Sequence, residues 1–555
     1  MLGIFLIQET NNNGSLINNR NLEFKERKVV LMIKKIKLKS IISVLTIFTT
    51  VFSLVGCGNN SNGGNNPING NKEIAIAVTS FADTLEPTEQ YFSWVVSRYG
   101  VGETLVKFNQ KGELEPCLAE KWEVSDNKLT WTFDIRQNVK FSNGDDMTPE
   151  LVKASIERTF RLSKRADSFF KIKDISVEGN KLSITTEQPV ANLPGSLADP
   201  LFLIVDTKAD ESKFAMEGPV CTGPYLVESF NPTQDCVVVK NKNYWDGEVP
   251  LDKVTFKCIE DQSTRSMALQ TGEVQIAYNL KVENLNDFQD KDKFLIQNLK
   301  SLRTTYAFMN QNGVLKDKKL RQAIIRALDK EKYCNELLEG GATPGKAPVP
   351  STLDFGFDEL KDENAYNVES ARNLLKEAGY NDVDGDGFVE TPSGDKMELN
   401  FVIYTSREEL NIYAQAVQAN LKEIGVNVKL NTVSYETTLD MRDAGKFDML
   451  IWNVLVANTG DPEKYLNENW YSKSGTNKTG YNNPQVDQLL DELSKEFDLE
   501  KRKELIINIQ QLIMDDAATI FLGHETTYLI SSTKVTGVNM YPMDYYWLTK
   551  DVKLS

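Results

Sequence analysis

The passage from Leu114 to Phe160 constrains this chain more than any other. Leu129-Thr130-Trp131-Thr132-Phe133-Asp134-Ile135 alternates bulky with small or polar side chains, the period of a strand that buries one face. Asn143-Gly144-Asp145 supplies a tight turn. Thr148-Pro149-Glu150 then reads as a helix start, with Thr148 as cap and Pro149 at the first helical position, where a missing N–H leaves no bond unmade. An amphipathic helix is expected over Glu150 to Phe160. Strand, turn and capped helix thus follow in one short run.

Around it the chain alternates strand and helix signals. Ile74 to Val78 is a first strand, and Leu85-Glu86-Pro87 opens an aromatic loop carrying Tyr91 and Trp94. From Val177 to Pro189 and from Tyr225 to Cys258 short strands are separated by turns such as Glu178-Gly179-Asn180 and Asp246-Gly247. Thr304 to Asn310 reads as an apolar strand, and Lys318 to Leu338 as a helix stopped by Gly340-Gly341. Leu399 to Tyr404, Arg407 to Ile424 and Val426 to Leu430 give a strand–helix–strand rhythm. Phe447 to Val456 is almost unbroken in its apolarity, as strands buried on both faces are.

The amino-terminal part reads as an export leader. Met32 to Lys39 is basic, and Ile41 to Val55 is apolar but too short for a comfortable membrane span, so residues 32–56 are expected to be a signal peptide. It closes with Leu54-Val55-Gly56-Cys57, which resembles the bacterial lipobox; the resemblance implies cleavage before Cys57 and a diacylglycerol on its thiol. A plain signal peptide with an incidental cysteine is the alternative. Residues 57–71 are small and polar, a flexible tether, although stable anchoring normally takes more than one acyl chain. Residues 1–31 fit neither part of such a signal and are expected not to be translated, Met32 being the start. Detection of a peptide spanning Asn11 to Arg20 would overturn that expectation.

Sixty-three basic against seventy-nine acidic side chains give a formal charge of -16, which argues against a general nucleic-acid binder. Cys117, Cys221, Cys236, Cys258 and Cys334 show neither redox nor zinc spacing; a single disulfide among Cys221, Cys236 and Cys258 and buried free thiols both stay open. Gly340 to Lys346 imitates a phosphate-binding loop, but Ala347 stands where a Ser or Thr belongs and Pro348 blocks the helix that would hold the phosphate. Asp382, Asp384 and Asp386 have calcium-loop spacing, yet Ser393 replaces the twelfth-position glutamate; a tight surface turn is the favoured reading, with Glu390 as a late ligand otherwise. The chain owns one histidine, His524, weighed as a metal ligand and as a structural hydrogen-bonder.

Leu118 to Ser125, Leu129 to Phe133, Val139 to Gly144, Thr222-Gly223-Pro224-Tyr225, Asn243-Tyr244-Trp245, Leu269 to Glu273 and Leu320 to Asp329 together resemble the extracellular solute-binding proteins that serve peptide and nickel importers. The resemblance covers essentially everything after the leader. It implies an α/β, two-lobe periplasmic-binding-protein-like fold of type II, with an extra subdomain in the first lobe. We place lobe I at 72–306, lobe II at 307–521 and a return to lobe I at 522–555. It implies a monomeric, extracytoplasmic receptor anchored to the outer face of the bacterial cell membrane, which hands a peptide or a nickel chelate to permease subunits driven by a separate ATPase.

Candidate ligand contacts follow from residue chemistry and from the resemblance. Tyr91, Trp94, Phe169 and Trp452 are expected as aromatic walls, with core packing as the alternative. Arg161 and Arg165 read either as a solvated helix end or as a fork for a carboxylate. Asn453, Asn458 and Asp461 are polar candidates. The resemblance implies an ammonium-pairing aspartate, usual in peptide-binding members, at the position that looks like Asn458 here, and Asp461, one turn away, is the candidate substitute. Direct metal capture is disfavoured by the scarcity of imidazole and paired thiolates, and no cofactor is expected. With neither G-x-S-x-G nor H-E-x-x-H present, an enzyme is not expected. A surface-tethered hydrolase and a peptide-sensing receptor are the alternatives of another class.

Overall fold

In the computed structural model two long antiparallel strands, Phe294–Met309 and Thr519–Ser532, run side by side through the middle of one 11-stranded sheet. Residues 72–79, 82–405 and 407–555 are described; the expected leader, Cys57 and the expected tether lie outside them. On one flank of the central pair lie Ile276–Tyr278, Glu73–Val78, Lys253–Cys258, Asp235–Lys240 and Tyr225–Asn231. On the other lie Met449–Leu455, Glu398–Tyr404 and Asn427–Val433. Each flank gathers its own buried cores, one around Ile76, Val254 and Phe256, the other around Leu399, Phe401 and Ile451. The result is a two-lobe α/β fold in which the central strands cross from one lobe to the other.

The expected strand and capped helix belong to a subdomain of the first lobe. Thr130–Ile135 buries Trp131, Phe133 and Ile135 on one face and pairs with Ala119–Val124 and Lys181–Thr186 in a four-stranded antiparallel sheet. The helix Pro149–Leu162 covers that face with Leu151, Val152 and Ile156, and Thr148 accepts the Leu151 N–H as its cap.

Two family-like motifs acquire a shared physical cause. Glu103 accepts hydrogen bonds from Thr222 Oγ1 (2.8 Å), Trp245 Nε1 (2.8 Å) and Tyr244 Oη (3.1 Å). Burial raises its pKa, and these donors oppose the rise. Gly223, between them, packs so closely that a Cβ would lie 2.4 Å from the Gly100 carbonyl oxygen and 2.5 Å from that of Val101. No side chain fits there.

Some expectations need correction. The stretch Lys318 to Leu338 is not one helix: Lys318–Arg326 ends, Asp329 caps a new start, and Tyr333–Leu337 closes as a π-turn. Thr304 to Met309 is only the end of a 16-residue strand, whose more exposed first half, mixed in polarity, is drawn into the sheet by pairing with Thr519–Ser532, and Asn310 lies just past its end. All five described cysteines are free thiols, so the disulfide alternative falls. Ala342–Pro344 is a short strand on the second central strand, and Lys346 donates to the Leu360 carbonyl, a use incompatible with a phosphate loop. Within the stretch allotted to the second lobe, Ala457 is buried with Leu197, Leu302 and Tyr545 of the first. Among the described residues no helix is long and apolar enough to cross a membrane.

Candidate ligand cleft between the lobes

A cavity of about 1080 Å3 opens between the lobes. That is room for a ligand the size of a short peptide or a metal chelate.

The first-lobe wall is held by a buried ion pair. Arg158, on the helix Pro149–Leu162, grips Glu86 through both ends of its fork, at 2.9 and 2.8 Å, and reaches Glu211 at 3.0 Å. Burial alone would raise the Glu86 carboxyl, but Arg158 and Thr88 hold it below its ordinary range. This pins the loop that presents Tyr91, whose ring lies 3.7 Å under the Arg165 guanidinium; Arg165 also donates to the Gln90 carbonyl at 2.5 Å. Trp94 stands edge-on to Tyr91 and to Tyr545, at 5.5 and 5.1 Å.

The second-lobe wall is an aromatic cluster. Tyr404 ends one strand, Trp452 lies on its neighbour, and Tyr435 begins the helix Tyr435–Asp443 behind the Ser434 cap. Tyr435 and Trp452 stack at 5.8 Å, Tyr404 meets both edge-on, and Arg442 lies 5.4 Å over Trp452. Burial, and Tyr91 facing it from the other lobe, raise the pKa of the Tyr435 hydroxyl.

The floor is polar. Arg303 donates to Asn453 Oδ1 (3.0 Å), Asn453 Nδ2 donates to Thr305 Oγ1 (2.6 Å), and Thr305 donates to Glu525 (2.6 Å). Burial draws Arg303 down to about 10, with Arg407 adding to the effect. Burial and Glu409 push Glu525 up to about 7.

Of the sequence candidates, Tyr91, Trp94, Arg165, Trp452, Asn453 and Asn458 line the cavity. Arg161, Phe169 and Asp461 are not among its lining residues. Arg161 sits exposed in the last turn of its helix, where a cation meets the carbonyl ends. Phe169 packs edge-on against Phe202 at 5.4 Å. Asp461 is engaged by buried Arg502, at 3.0 and 2.8 Å, and accepts the Glu463 N–H. Asn458 donates to Asp199 rather than holding its amide free. His524 is buried against Phe357, its Nδ1 2.9 Å from the Thr304 hydroxyl, and burial takes its pKa down to about 3. It belongs to no cluster of metal-ligating groups among the described residues. Asp382, Asp384 and Glu390 do converge, but Asp386 stays outside that group. Asp382 takes the Gly385 and Gly387 N–H groups, and Lys396 bridges Asp384 and Asp386 at 2.8 Å each, as in a self-contained turn.

Sequence reasoning missed Tyr404, Tyr435, Arg303 and Arg442. Tyr404 lay within a correctly expected strand, but nothing in a one-dimensional pattern says that a strand end faces a cleft. Arg303 depends on a break in register. The strand pair jumps from Lys300–Thr526 to Thr304–His524, so residues 301–303 bulge out of the ladder with Thr519–Ser532 while Arg303 keeps its pairing with Leu455 on the other side, and bulges re-aim side chains.

The lining carries six cations, Lys164, Arg165, Arg303, Arg442, Lys464 and Lys478, against three carboxylates, Glu89, Glu436 and Glu468. In a chain of net charge -16 this cleft is locally basic. Among the described residues no histidine or cysteine lines it.

Two lobes joined by crossing strands around an aromatic, basic cleft define a solute-binding protein. The chain belongs to the bacterial extracellular solute-binding proteins of family 5, whose middle-region model matches residues 113–477. It is 25% identical over 501 residues to the nickel-binding protein NikA of Staphylococcus aureus, covering 90% of this chain and 96% of that one. It is 28% identical over 488 residues to heme-binding protein A of Haemophilus influenzae, covering 82% and 87%. The crystal structure of a nickel ABC transporter from Bacillus halodurans superposes with a TM-score of 0.73 at 29% identity, covering 87% of this chain and all of that one.

Proposed function

We propose that this protein is the extracytoplasmic, lipid-anchored receptor of an ATP-driven importer. It closes its lobes on a solute bearing acidic groups and delivers it to a membrane permease worked by a separate ATPase. The observation that carries the reading is the basic, aromatic cleft set in an acidic body. Such a cavity concentrates anions and offers flat surfaces for rings or a planar chelate. A metal would travel as cargo with its coordination sphere supplied by an organic chelator, because the described residues of the wall offer no imidazole or thiolate. A ligand touching both walls favours the closed arrangement, which a permease can tell from the open one.

A short peptide is the second reading. Glu89 and Glu436, exposed at the cavity, are the carboxylates at which its ammonium would sit. Native mass spectrometry of the full chain purified from its own host decides between the two. An added mass with a metal isotope pattern and a small polycarboxylate supports the chelate, and an added mass of a few amino-acid residues supports the peptide. A protein that binds neither nickel(II)–citrate nor short peptides would not be a receptor of this kind.

A further inference from the structure

Arg303 is a partly buried guanidinium that feels the opposite charges of Asp544 and Glu525 without forming an ion pair with either. Its side chain makes one hydrogen bond, to the neutral amide oxygen of Asn453, and no ion pair among the described residues. The fully buried arginines have more partners. Arg158 holds Glu86 and Glu211, and Arg502 holds Asp461 and Glu463. Arg265 and Arg321 each fan their forks over backbone carbonyls. Arg98 and Arg407, the neighbours that repel Arg303, form ion pairs with Asp544 and Glu409, and Asp544, which also takes the Trp547 indole N–H, partly offsets that repulsion. Glu525, the carboxylate behind the floor, is engaged by Thr305 and faced by Asn453, and it makes no ion pair with Arg303. A partly desolvated cation in this state gains from an anion that reaches it.

The backbone explains why the charge stays. Residues 301–303 bulge between two registers of the central strand pair, the Arg303 N–H turns back onto Ser301 Oγ at 3.1 Å, and the side chain is aimed at the floor between the lobes. A fold under selection for stability alone would fill this position with an apolar side chain.

We propose that Arg303 is the anion anchor of the cleft, taking a carboxylate of the ligand in exchange for, or alongside, its bond to Asn453. This rests on the receptor reading above and narrows it to ligands with at least one carboxylate that can reach the floor. Because Arg303 sits on a strand that crosses between the lobes and bonds to Asn453, an anion seated there also meets Asn453 of the second lobe.

The test compares the full-length wild-type chain with Arg303→Met and Arg303→Lys, using nickel(II)–citrate and the zwitterion Gly-Gly-Gly as probes in isothermal titration, with thermal melting of the ligand-free proteins alongside. The expected result is that Arg303→Met binds nickel(II)–citrate more weakly, on the order of 10- to 100-fold, the worth of a charge-assisted hydrogen bond. Arg303→Lys keeps part of the affinity. Ligand-free Arg303→Met melts at or above the wild-type temperature, which a merely structural arginine would not allow. Equal citrate-complex affinity in Arg303→Met, or a lower ligand-free melting temperature, overturns the anchor while the receptor reading stands. Tripeptide binding alone, unmoved by Arg303→Met, does the same. A wild-type protein that binds neither probe overturns both.

Discussion

The side-chain amide of Asn458 lies 2.9 Å from the carboxylate of Asp199, tying the loop after the strand Met449–Leu455 to the core of the first lobe. Asp199 is fully buried and also takes the Leu201 N–H at 2.9 Å and the Tyr545 hydroxyl at 3.2 Å. Close by, Asn192 donates to the Thr459 carbonyl at 3.0 Å, and Gly195 approaches that same oxygen so nearly that a Cβ would lie 2.2 Å from it. Asn458 is therefore as much a part of the lobe junction as of the cleft.

An aspartate at 458 would face Asp199 across a hydrogen-bond distance with no cation between them. Asn458→Asp is expected to cost about 2–4 kcal/mol at neutral pH, since two carboxylates so placed cannot both ionise without penalty. The melting temperature of the variant should fall at about pH 8 and recover towards wild type at about pH 5, where one of the pair binds a proton. An unchanged melting temperature at both values would show that the loop moves freely away from Asp199.

Asp461 behaves as a structural residue. Arg502, 3% exposed at its side chain, is held by Asp461 and Glu463, and their charges offset the burial that would otherwise depress its pKa. Asp461→Ala is expected to destabilise the protein by about 3 kcal/mol, because it strips a partner from a buried cation. Affinity for nickel(II)–citrate should change less than threefold, roughly the error of such a comparison. A stable variant with lost affinity would return Asp461 to the ligand site.

The Glu86–Arg158 pair couples stability to the Tyr91 wall. Arg158→Ala should lower stability by about 3–5 kcal/mol, as for other broken buried pairs, and should weaken ligand binding through the loop it no longer pins. The folded-state pKa of Glu86 lies below the unfolded one. Its contribution is thus present above the unfolded value and is lost as pH falls through the folded value. The acid limb of a melting-temperature profile should be shallower in Glu86→Gln than in wild type.

Glu525 works in the opposite sense. Burial and Glu409 push its carboxyl up to about 7, against the pull of Thr305, Arg407 and Arg303. Between roughly pH 4.3, the ordinary glutamate value, and about 7, the unfolded chain is ionised while the folded chain still holds the proton. The folded state binds more protons there, so stability falls as pH rises through that window. Glu525→Gln should flatten the decline in melting temperature between about pH 5 and about pH 7.5. Parallel profiles for the two proteins would place Glu525 outside this titration.

Local pattern determined much of this protein. Strand alternation around Trp131 and Phe133, the Thr148–Pro149 cap, the helix Glu408–Glu423 and the apolar strand Met449–Leu455 each follow from side chains a few residues apart, and such preferences survive into the folded state because packing agrees with them. The ordered motifs likewise carried the family, and with it the two-lobe fold. Tertiary structure alone decided which polar groups meet. That Asn458 would find Asp199, that Asp461 would be taken by Arg502, and that a register break would turn Arg303 towards the floor all depend on residues 41 to 259 positions apart or on a slip between two strands. Hydrogen bonds and ion pairs act over a few ångströms and depend on direction, so their partners are selected only after the chain has brought distant segments together.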